Sequence, residues 1–199
     1  MKNYIQIGAN TGHDEFQSII EKLEEKSNIV LLEPNTDLIE KLVKAYDKLQ
    51  LKHNISFCPY GISLTSGEEN LYIYGTIDGN YSLVNRKSHP LTPVTTSKKI
   101  KTITFKELCD NFNIHNIECL FIDTEGLDYE ILNSIDIYEI DIKIIIFEEW
   151  IHEDDDQNNK YRTGPKFLHN VLVPKFKDYY WSEFISGGMN NFRLTKKSS

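Results

Sequence analysis

The sequence predicts an α/β fold of the doubly wound type, in which a mostly parallel sheet is closed by a C-terminal antiparallel hairpin. Residues 119–123 and 143–148 form near-continuous apolar runs, which are typical of parallel strands covered on both faces. Near the C-terminus, residues 179–185 and 191–195 flank a Ser-Gly-Gly turn and are predicted to pair as a hairpin. We therefore expect helices on both faces of one central sheet.

The remaining elements are predicted to alternate between strand and helix. Apolar residues at helical spacing, such as Phe16, Ile20 and Leu23, predict the helices, and short apolar runs that end at turn residues predict the strands. The predicted ranges are strand 4–7, helix 14–26, strand 28–32, helix 37–50, strand 55–58, strand 71–74, regular structure over 99–104, and helix 105–112.

A glycine-bracketed turn, Gly8-Ala9-Asn10-Thr11-Gly12, follows the first strand. A strand, such a turn and a helix together form a site for nucleoside-containing cofactors, because glycine permits close approach of a ligand and the helix presents free N–H groups. The dinucleotide pattern G-x-G-x-x-G requires glycine at Asn10 and at His13. A pyrophosphate is therefore disfavoured, whereas S-adenosylmethionine has no phosphate and tolerates Asn10. A packing role for the turn is the alternative.

The second predicted strand ends on an acidic residue, Glu33, which is followed by Pro34. Glu33 follows Gly12 by about 20 residues, the separation at which an acidic residue reaches the ribose hydroxyls in nucleoside-binding folds. A carboxylate accepts hydrogen bonds from both hydroxyls at once. We predict that Glu33 binds ribose; a strand-end carboxylate facing water is the alternative.

The composition is that of a globular protein of 199 residues, with 40% hydrophobic and 26% charged residues. We expect one domain over residues 1–199, with a cofactor half at about 1–98 and an acceptor half at about 99–199. We also expect no signal peptide, no membrane segment and reduced cysteines in a cytoplasmic protein. The net charge of −8 argues against binding to a nucleic-acid backbone and favours a small or neutral partner.

The stretch 120–132, Leu-Phe-Ile-Asp-Thr-Glu-Gly-Leu-Asp-Tyr-Glu-Ile-Leu, resembles the signature of the FkbM family of S-adenosylmethionine-dependent methyltransferases. The family carries a strand ending in I-D-x-E-G, followed by a helix with a V/I-L pair. Further stretches that agree with the family pattern are residues 7–12, 33–34, 82–83 (Ser-Leu) and 147–148. The resemblance spans roughly residues 4–150.

The resemblance implies a Rossmann-like class I methyltransferase that transfers a methyl group to an oxygen of a sugar or natural product. It also implies cofactor-binding residues. The methionine end of S-adenosylmethionine would be held by Gly8, Asn10 and Gly12. The ribose would be held by Glu33, and the adenine would lie along Tyr60. Asp123, which ends the signature strand, is predicted to contact the cofactor as well.

The carboxyl ends of parallel strands face the ligand crevice. Polar residues that follow the last two parallel strands are therefore candidate catalytic groups. An acceptor hydroxyl needs a base, and we predict Asp123, Glu125 or His152 for this role. Glu148 and Glu149 lie at the same edge. A divalent metal, magnesium, held by Asp123 and Glu148 is a further hypothesis. The alternatives are structural, with Asp123 as a helix N-cap or in a packing role and Glu125 as an aid to the helix N-terminus.

Two other functions remain open at this stage. A nicotinamide-dependent (NAD) oxidoreductase is disfavoured by Asn10 and by the absence of an obvious Tyr-x-x-x-Lys donor. The other alternative is a non-catalytic nucleoside-binding or scaffolding protein with the same fold. We expect acceptor specificity to lie in the loops 75–98 and 149–164, and a homo-oligomer is compatible with the exposed aromatic residues predicted near the C-terminus.

Overall fold

The computed structural model of this protein describes residues 1–74, 81–84, 94–149, 164–186 and 189–198. The strands in these ranges are β1 (Asn3–Ile7), β2 (Asn28–Leu32), β3 (Asn54–Cys58), β4 (Gly61–Ile62), β5 (Gly67–Tyr74), β6 (Tyr81–Ser82), β7 (Val94–Ile103), β8 (Asn116–Ile122), β9 (Asp141–Glu148), β10 (Tyr179–Ser186) and β11 (Met189–Lys196).

The helices are α1 (Glu15–Glu21), α2 (Ile39–Ala45), α3 (Phe105–Phe112) and α4 (Asp128–Ser134), with 3-10 turns at Thr36–Leu38 and Leu49–Leu51. Before β10, short α-helical turns at Pro165–Phe167 and Val173–Lys175 flank a π-helical turn at Leu168–Leu172. No helix in the described ranges is long and apolar enough to span a membrane.

Seven strands form the main sheet in the order β10-β11-β9-β8-β1-β2-β3. The five strands β9, β8, β1, β2 and β3 are parallel to one another, whereas β11 is antiparallel to both β9 and β10. The predicted doubly wound sheet with an antiparallel C-terminal hairpin is therefore confirmed. This order places the carboxyl ends of β1, β2 and β8 next to one another.

Both faces of the main sheet are covered by apolar packing. One face packs against α3 and α4, with Leu108 and Leu132 fully buried, and the other packs against α1 and α2, with Phe16 and Leu42 fully buried. This two-sided burial explains why the central strands are apolar at nearly every position.

A ladder of asparagine side chains runs across the starts of four parallel strands. The Asn3 amide donates to the Asn116 carbonyl oxygen at 2.9 Å, the Asn28 amide to Asn3 Oδ1 at 3.0 Å, and the Asn54 amide to Asn28 Oδ1 at 3.0 Å. Asn3, Asn28 and Asn54 are direct partners in the strand register. Because a one-residue slip would turn each side chain to the opposite face, the ladder supports the observed register.

A second sheet, in the order β4-β7-β5-β6, was not predicted from the sequence. The predicted strand 71–74 is the end of the longer β5, the regular structure predicted over 99–104 begins earlier as β7, and β6 lies inside the predicted loop 75–98. The strand β7 reads Val-Thr-Thr-Ser-Lys-Lys-Ile-Lys-Thr-Ile. Its polar character hides it from a search for apolar runs. Residues 75–80 and 85–93 lie outside the described residues.

Two predicted helices are shorter in the structure than in the sequence analysis. The helix predicted over 14–26 is α1, which begins after Asp14, because the Asp14 side chain accepts the Gln17 N–H at 3.0 Å and caps the helix. The helix predicted over 37–50 is α2 with a 3-10 turn on either side. The polar residues after each apolar stripe fit a helix pattern equally well, so the pattern overestimates helix length.

Candidate active site

A cavity lies at the carboxyl ends of the parallel strands, between the main sheet and the second sheet. The loops after β1, β2, β3 and β8 contribute Asn10, Glu33, Tyr60 and Asp123, and the second sheet contributes Leu71 and Tyr81. The cavity thus occupies the position where open α/β sheets bind ligands. Its wall of Leu71 and Tyr81 was missed in the sequence analysis, because the second sheet itself was missed.

Gly8 lets the ends of β1 and β8 approach each other closely. It has φ +82°, and a Cβ atom there would lie 1.8 Å from the Asp123 carbonyl oxygen. The Asp123 N–H in turn donates to the Ile7 carbonyl oxygen at 3.0 Å. Gly8 therefore places Asp123 beside the turn after β1, and both residues line the cavity.

Gly12 has a different surrounding from Gly8. It has φ +77°, and a Cβ atom there would lie 2.7 Å from Leu42 and 2.8 Å from Tyr46. Gly12 is not among the described residues that line the cavity. In the structure, the absence of a side chain at Gly12 lets α2 pack closely against the turn. This agrees with the alternative given above, in which the turn has a packing role.

The carboxylate of Glu33 lines the cavity and accepts two backbone hydrogen bonds. Its Oε2 accepts the Asn10 N–H at 2.8 Å, and its Oε1 accepts the Asn35 N–H at 2.7 Å. Asn10 has φ +46°, a conformation that asparagine tolerates better than most residues. Each carboxylate oxygen keeps acceptor capacity beyond these bonds, so the group fits a ligand with two neighbouring hydroxyls.

Burial dominates the electrostatics of Glu33. The residue is 4% exposed, and desolvation raises its pKa to about 7, against the opposing effects of the hydrogen bonds from Asn35 and Asn10 and of the Lys98 charge. Near neutral pH the carboxylate is thus close to its midpoint of ionisation. Hydroxyl donors from a ligand would favour the ionised form.

The loop after β8 is held by a buried carboxylate that the sequence analysis did not single out. Asp128 accepts hydrogen bonds from the Thr124 N–H at 3.2 Å, the Thr124 hydroxyl at 3.1 Å and the Gly126 N–H at 3.2 Å. Thr124 Oγ1 accepts the Leu127 N–H at 3.2 Å. The N-cap of α4 is Leu127, so the predicted alternative of Asp123 as the N-cap is wrong.

Ser82 of β6 connects the second sheet to this loop. Its hydroxyl donates to the Glu125 carbonyl oxygen at 2.8 Å and accepts the Val84 N–H at 3.0 Å. Glu125 has φ +57°, in the left-handed region. Ser82 thus fixes the backbone of Glu125, and the Ser82-Leu83 pair that resembles the family pattern lines the cavity.

Two acidic residues that line the cavity, Asp123 and Glu125, lie close to Glu148 at the end of β9. Ligand oxygens of Asp123, Glu125 and Glu148 all lie within 4.8 Å of one another. Asp123 is exposed and lines the cavity. Desolvation, followed by the charges of Asp128, Glu125 and Glu148, raises its pKa well above the ordinary value. Magnesium held by Asp123 and Glu148 stays a prediction.

The remaining predicted site residues lie in different places. Tyr60 lines the cavity. Glu149 accepts the side-chain N–H of Asn190 at 2.9 Å, which joins it to the start of β11. His152 and most of the predicted acceptor loop 149–164 lie outside the described residues.

The sequence matches the methyltransferase FkbM domain over residues 6–178. No curated protein is significantly similar to it in sequence.

Several solved structures share the fold. Fibrillarin from Aeropyrum pernix, solved with natively bound S-adenosyl-L-methionine, gives a TM-score of 0.52 at 5% identity, covering 98% of this chain and 66% of that one. A Clostridium thermocellum protein described as a candidate rRNA methylase gives 0.51 at 9% identity, covering 100% of this chain and 88% of that one. An O-methyltransferase family protein from Burkholderia thailandensis gives 0.51 at 10% identity, covering 100% of this chain and 52% of that one.

These identities are low, so the structural similarity establishes a common fold and leaves the substrate open. The family match covers most of the chain and confirms both the predicted resemblance and S-adenosylmethionine as the predicted cofactor. The prediction that nucleic acid is not a partner is not supported, since one neighbour of the same fold is described as an rRNA methylase. The chain belongs to the FkbM family of S-adenosylmethionine-dependent methyltransferases.

Proposed function

We propose that this protein transfers a methyl group from S-adenosylmethionine to a hydroxyl group of a sugar or glycan. The observation that carries the proposal is the charge of the cavity. Among the described residues that line it, the acidic groups are Glu33, Asp123 and Glu125, and none of the lining residues is basic. Such a cavity is suited to a ligand with cationic groups.

The cavity fits S-adenosylmethionine better than a nicotinamide cofactor. S-adenosylmethionine has a sulfonium and an ammonium cation, which the carboxylates attract, whereas the diphosphate of NAD would be repelled by them. Glu33 is proposed to accept the ribose hydroxyls, and Tyr60 to lie along the adenine. Gly8, Asn10 and Asp123 are proposed to line the methionine end of the cofactor. Gly12 is proposed to support the turn through its close packing against α2.

The residues of the chain would align and deprotonate the acceptor. The cofactor supplies an electrophilic methyl group when bound. Asp123 is proposed as the base that takes the hydroxyl proton, since its raised pKa improves proton abstraction near neutral pH. Glu125, held in place through its backbone by Ser82, is the second candidate base, and His152 remains a predicted one.

The proposal covers the whole chain as one methyltransferase domain over residues 1–199. The cofactor would be bound by the half before about residue 98 and the acceptor by the half after it. A cytoplasmic location and a homo-oligomer are further predictions of the sequence. A sugar or glycan acceptor is favoured over a nucleic acid by the net charge of −8.

The first test is calorimetric titration of the protein with S-adenosylhomocysteine (SAH) and with NAD. We expect SAH to bind and NAD to give no signal. We also expect Glu33→Gln to weaken SAH binding, because its amide would direct an N–H donor at a backbone N–H. Binding of NAD alone would contradict the proposal.

The second test is transfer of a labelled methyl group from S-adenosylmethionine to panels of monosaccharides, oligosaccharides and RNA. We expect label in a sugar, and loss of transfer in Asp123→Asn even at S-adenosylmethionine concentrations that saturate the variant. Label in RNA alone would overturn the proposed acceptor. SAH binding without transfer to any panel would favour the non-catalytic alternative.

A further inference from the structure

Lys98 of the second sheet reaches the loop that carries Glu33. It lies on β7, opposite Leu71 of β5, and Leu71 lines the cavity. The Lys98 side chain is 27% exposed, whereas its chain neighbours Lys99 and Ser97 are exposed. Lys98 is therefore the lysine of this run that points from the second sheet toward the main sheet.

Its ammonium group joins two residues of the loop after β2. Lys98 Nζ donates to Asn35 Oδ1 and lies 3.2 Å from Asp37 Oδ2. Asn35 Oδ1 also accepts the Asp37 N–H at 3.3 Å and begins the 3-10 turn there. One side chain thus holds the loop at its turning point.

The contacts continue from Asn35 to the cavity. The backbone N–H of Asn35 donates to Glu33 Oε1 at 2.7 Å. The Lys98 charge also lowers the pKa of Glu33 and so favours the ionised carboxylate. Lys98 therefore acts on Glu33 in two ways. It holds Asn35, which donates to the Glu33 carboxylate, and its positive charge favours the ionised form of that carboxylate.

We propose that Lys98 is a positioning residue for the methyl donor, which holds the loop of Asn35 so that an ionised Glu33 faces the ribose. The inference rests on the proposed function for its ligand and goes beyond it in assigning this role to the second sheet. With this role for Lys98, the second sheet becomes part of the proposed cofactor site. Lys98 itself is not among the described residues that line the cavity.

The test compares Lys98→Met with Lys98→Arg and Lys99→Met by titrating each with SAH from pH 6 to pH 8. Methionine keeps an apolar stem and removes the charge. We expect Lys98→Met to bind SAH about fivefold to tenfold more weakly at neutral pH, a moderate effect because Lys98 acts on the ligand only through Asn35 and Glu33. Its pH profile should move to higher pH, because ionised Glu33 loses its favourable charge.

The control variants separate this role from general stability. Lys98→Arg should restore most of the affinity, and Lys99→Met, which removes an exposed lysine of the same strand, should bind like the wild type. A Lys98→Met protein that is folded by circular dichroism and binds SAH with the wild-type affinity and pH profile would overturn the inference.

A cofactor-free measurement distinguishes failure of the inference from failure of the proposed function. The unfolding free energies of wild type, Lys98→Met, Glu33→Gln and the double variant form a mutant cycle. At pH 8 we expect Lys98→Met to cost more stability in the wild-type background than in the Glu33→Gln background, and at pH 5 the two losses should become similar. Absence of this coupling would refute the role of Lys98. Absence of SAH binding by the wild type would refute the proposed function.

Discussion

Glu33 Oε2 accepts the backbone N–H of Asn10 at 2.8 Å, so the end of β2 is joined directly to the turn after β1. The bond uses a buried carboxylate and a residue in the left-handed conformation. Two features that sequence analysis treats separately, the glycine turn and the acid at the strand end, are thus one hydrogen-bonded unit. The unit forms the wall of the cavity.

The buried Glu33 should make stability depend on pH. Its pKa is raised from 4.5 to about 7 in the folded protein, so protonation favours folding. The contribution to stability is complete below pH 4.5 and is lost as the pH rises through about 7, with an upper limit of about 3 kcal/mol. Denaturant unfolding from pH 4.5 to pH 8 should show this loss in the wild type and not in Glu33→Gln.

Glu40→Gln is the control for this experiment, because Glu40 is an exposed residue of α2. Its stability curve should run parallel to that of the wild type. Parallel curves for wild type and Glu33→Gln would contradict the prediction.

Gly8→Ala should destabilise the fold by more than about 2 kcal/mol. The new Cβ would overlap the Asp123 carbonyl oxygen at 1.8 Å and would require φ +82°. SAH affinity should fall as well, since Asp123 would move. Gly67→Ala is the control that measures the cost of backbone conformation alone, because Gly67 has φ +152° and no atom within 4 Å of an added Cβ. This variant should lose only about 1 kcal/mol of stability. Equal losses in the two variants would argue against the close approach of β1 and β8.

Ser82→Ala should lower stability by about 1–3 kcal/mol, because the Glu125 carbonyl and the Val84 N–H each lose the Ser82 hydroxyl. We expect SAH binding to weaken too, since Ser82 holds the loop that lines the cavity. Ser134→Ala is the matched control. Ser134 donates to the Ile131 carbonyl at 2.7 Å within α4, so its loss should affect stability and leave SAH affinity unchanged.

Replacing asparagines of the ladder should lower stability by different amounts at different positions. Asn28 donates one side-chain hydrogen bond to Asn3 and accepts another from Asn54, whereas Asn54 at the ladder's end donates to Asn28 and to the weak acceptor Met1 Sδ at 3.5 Å. Asn28→Ala should therefore cost about 1 kcal/mol and Asn54→Ala about half of that in chemical denaturation. A larger loss in Asn54→Ala than in Asn28→Ala would show that the ladder does not act as a chain.

Much of the cavity lining was predictable because its residues follow apolar strands. The runs ending at Glu33 and Asp123 identify two strand ends, and parallel strands bring their carboxyl ends to one edge of the sheet. Gly8 and Asn10 follow from the first strand in the same way. The Asp123–Gly126 stretch, which resembles the family signature, identifies the family before any coordinates are considered.

The roles of other residues were not predictable, because they depend on contacts distant in sequence. Ser82 and Lys98 lie on polar strands of a second sheet, and Leu71 and Tyr81 line the cavity only because that sheet folds over it. Asp128 looks like an ordinary acid at a helix start, but its burial makes it the acceptor for the loop after β8. Gly12 resembles a ligand-binding glycine, but only the tertiary structure shows that an added Cβ there would meet Tyr46.

The sequence by itself determined the fold class, the family and the two acidic strand ends, because these depend on local apolar patterns and on a contiguous motif. The tertiary structure alone decided which side chains enclose the cavity and which carboxylates are buried. Burial is a property of the assembled fold, so the raised pKa of Glu33 and the link from Lys98 through Asn35 to Glu33 arise only when the second sheet lies against the loop after β2.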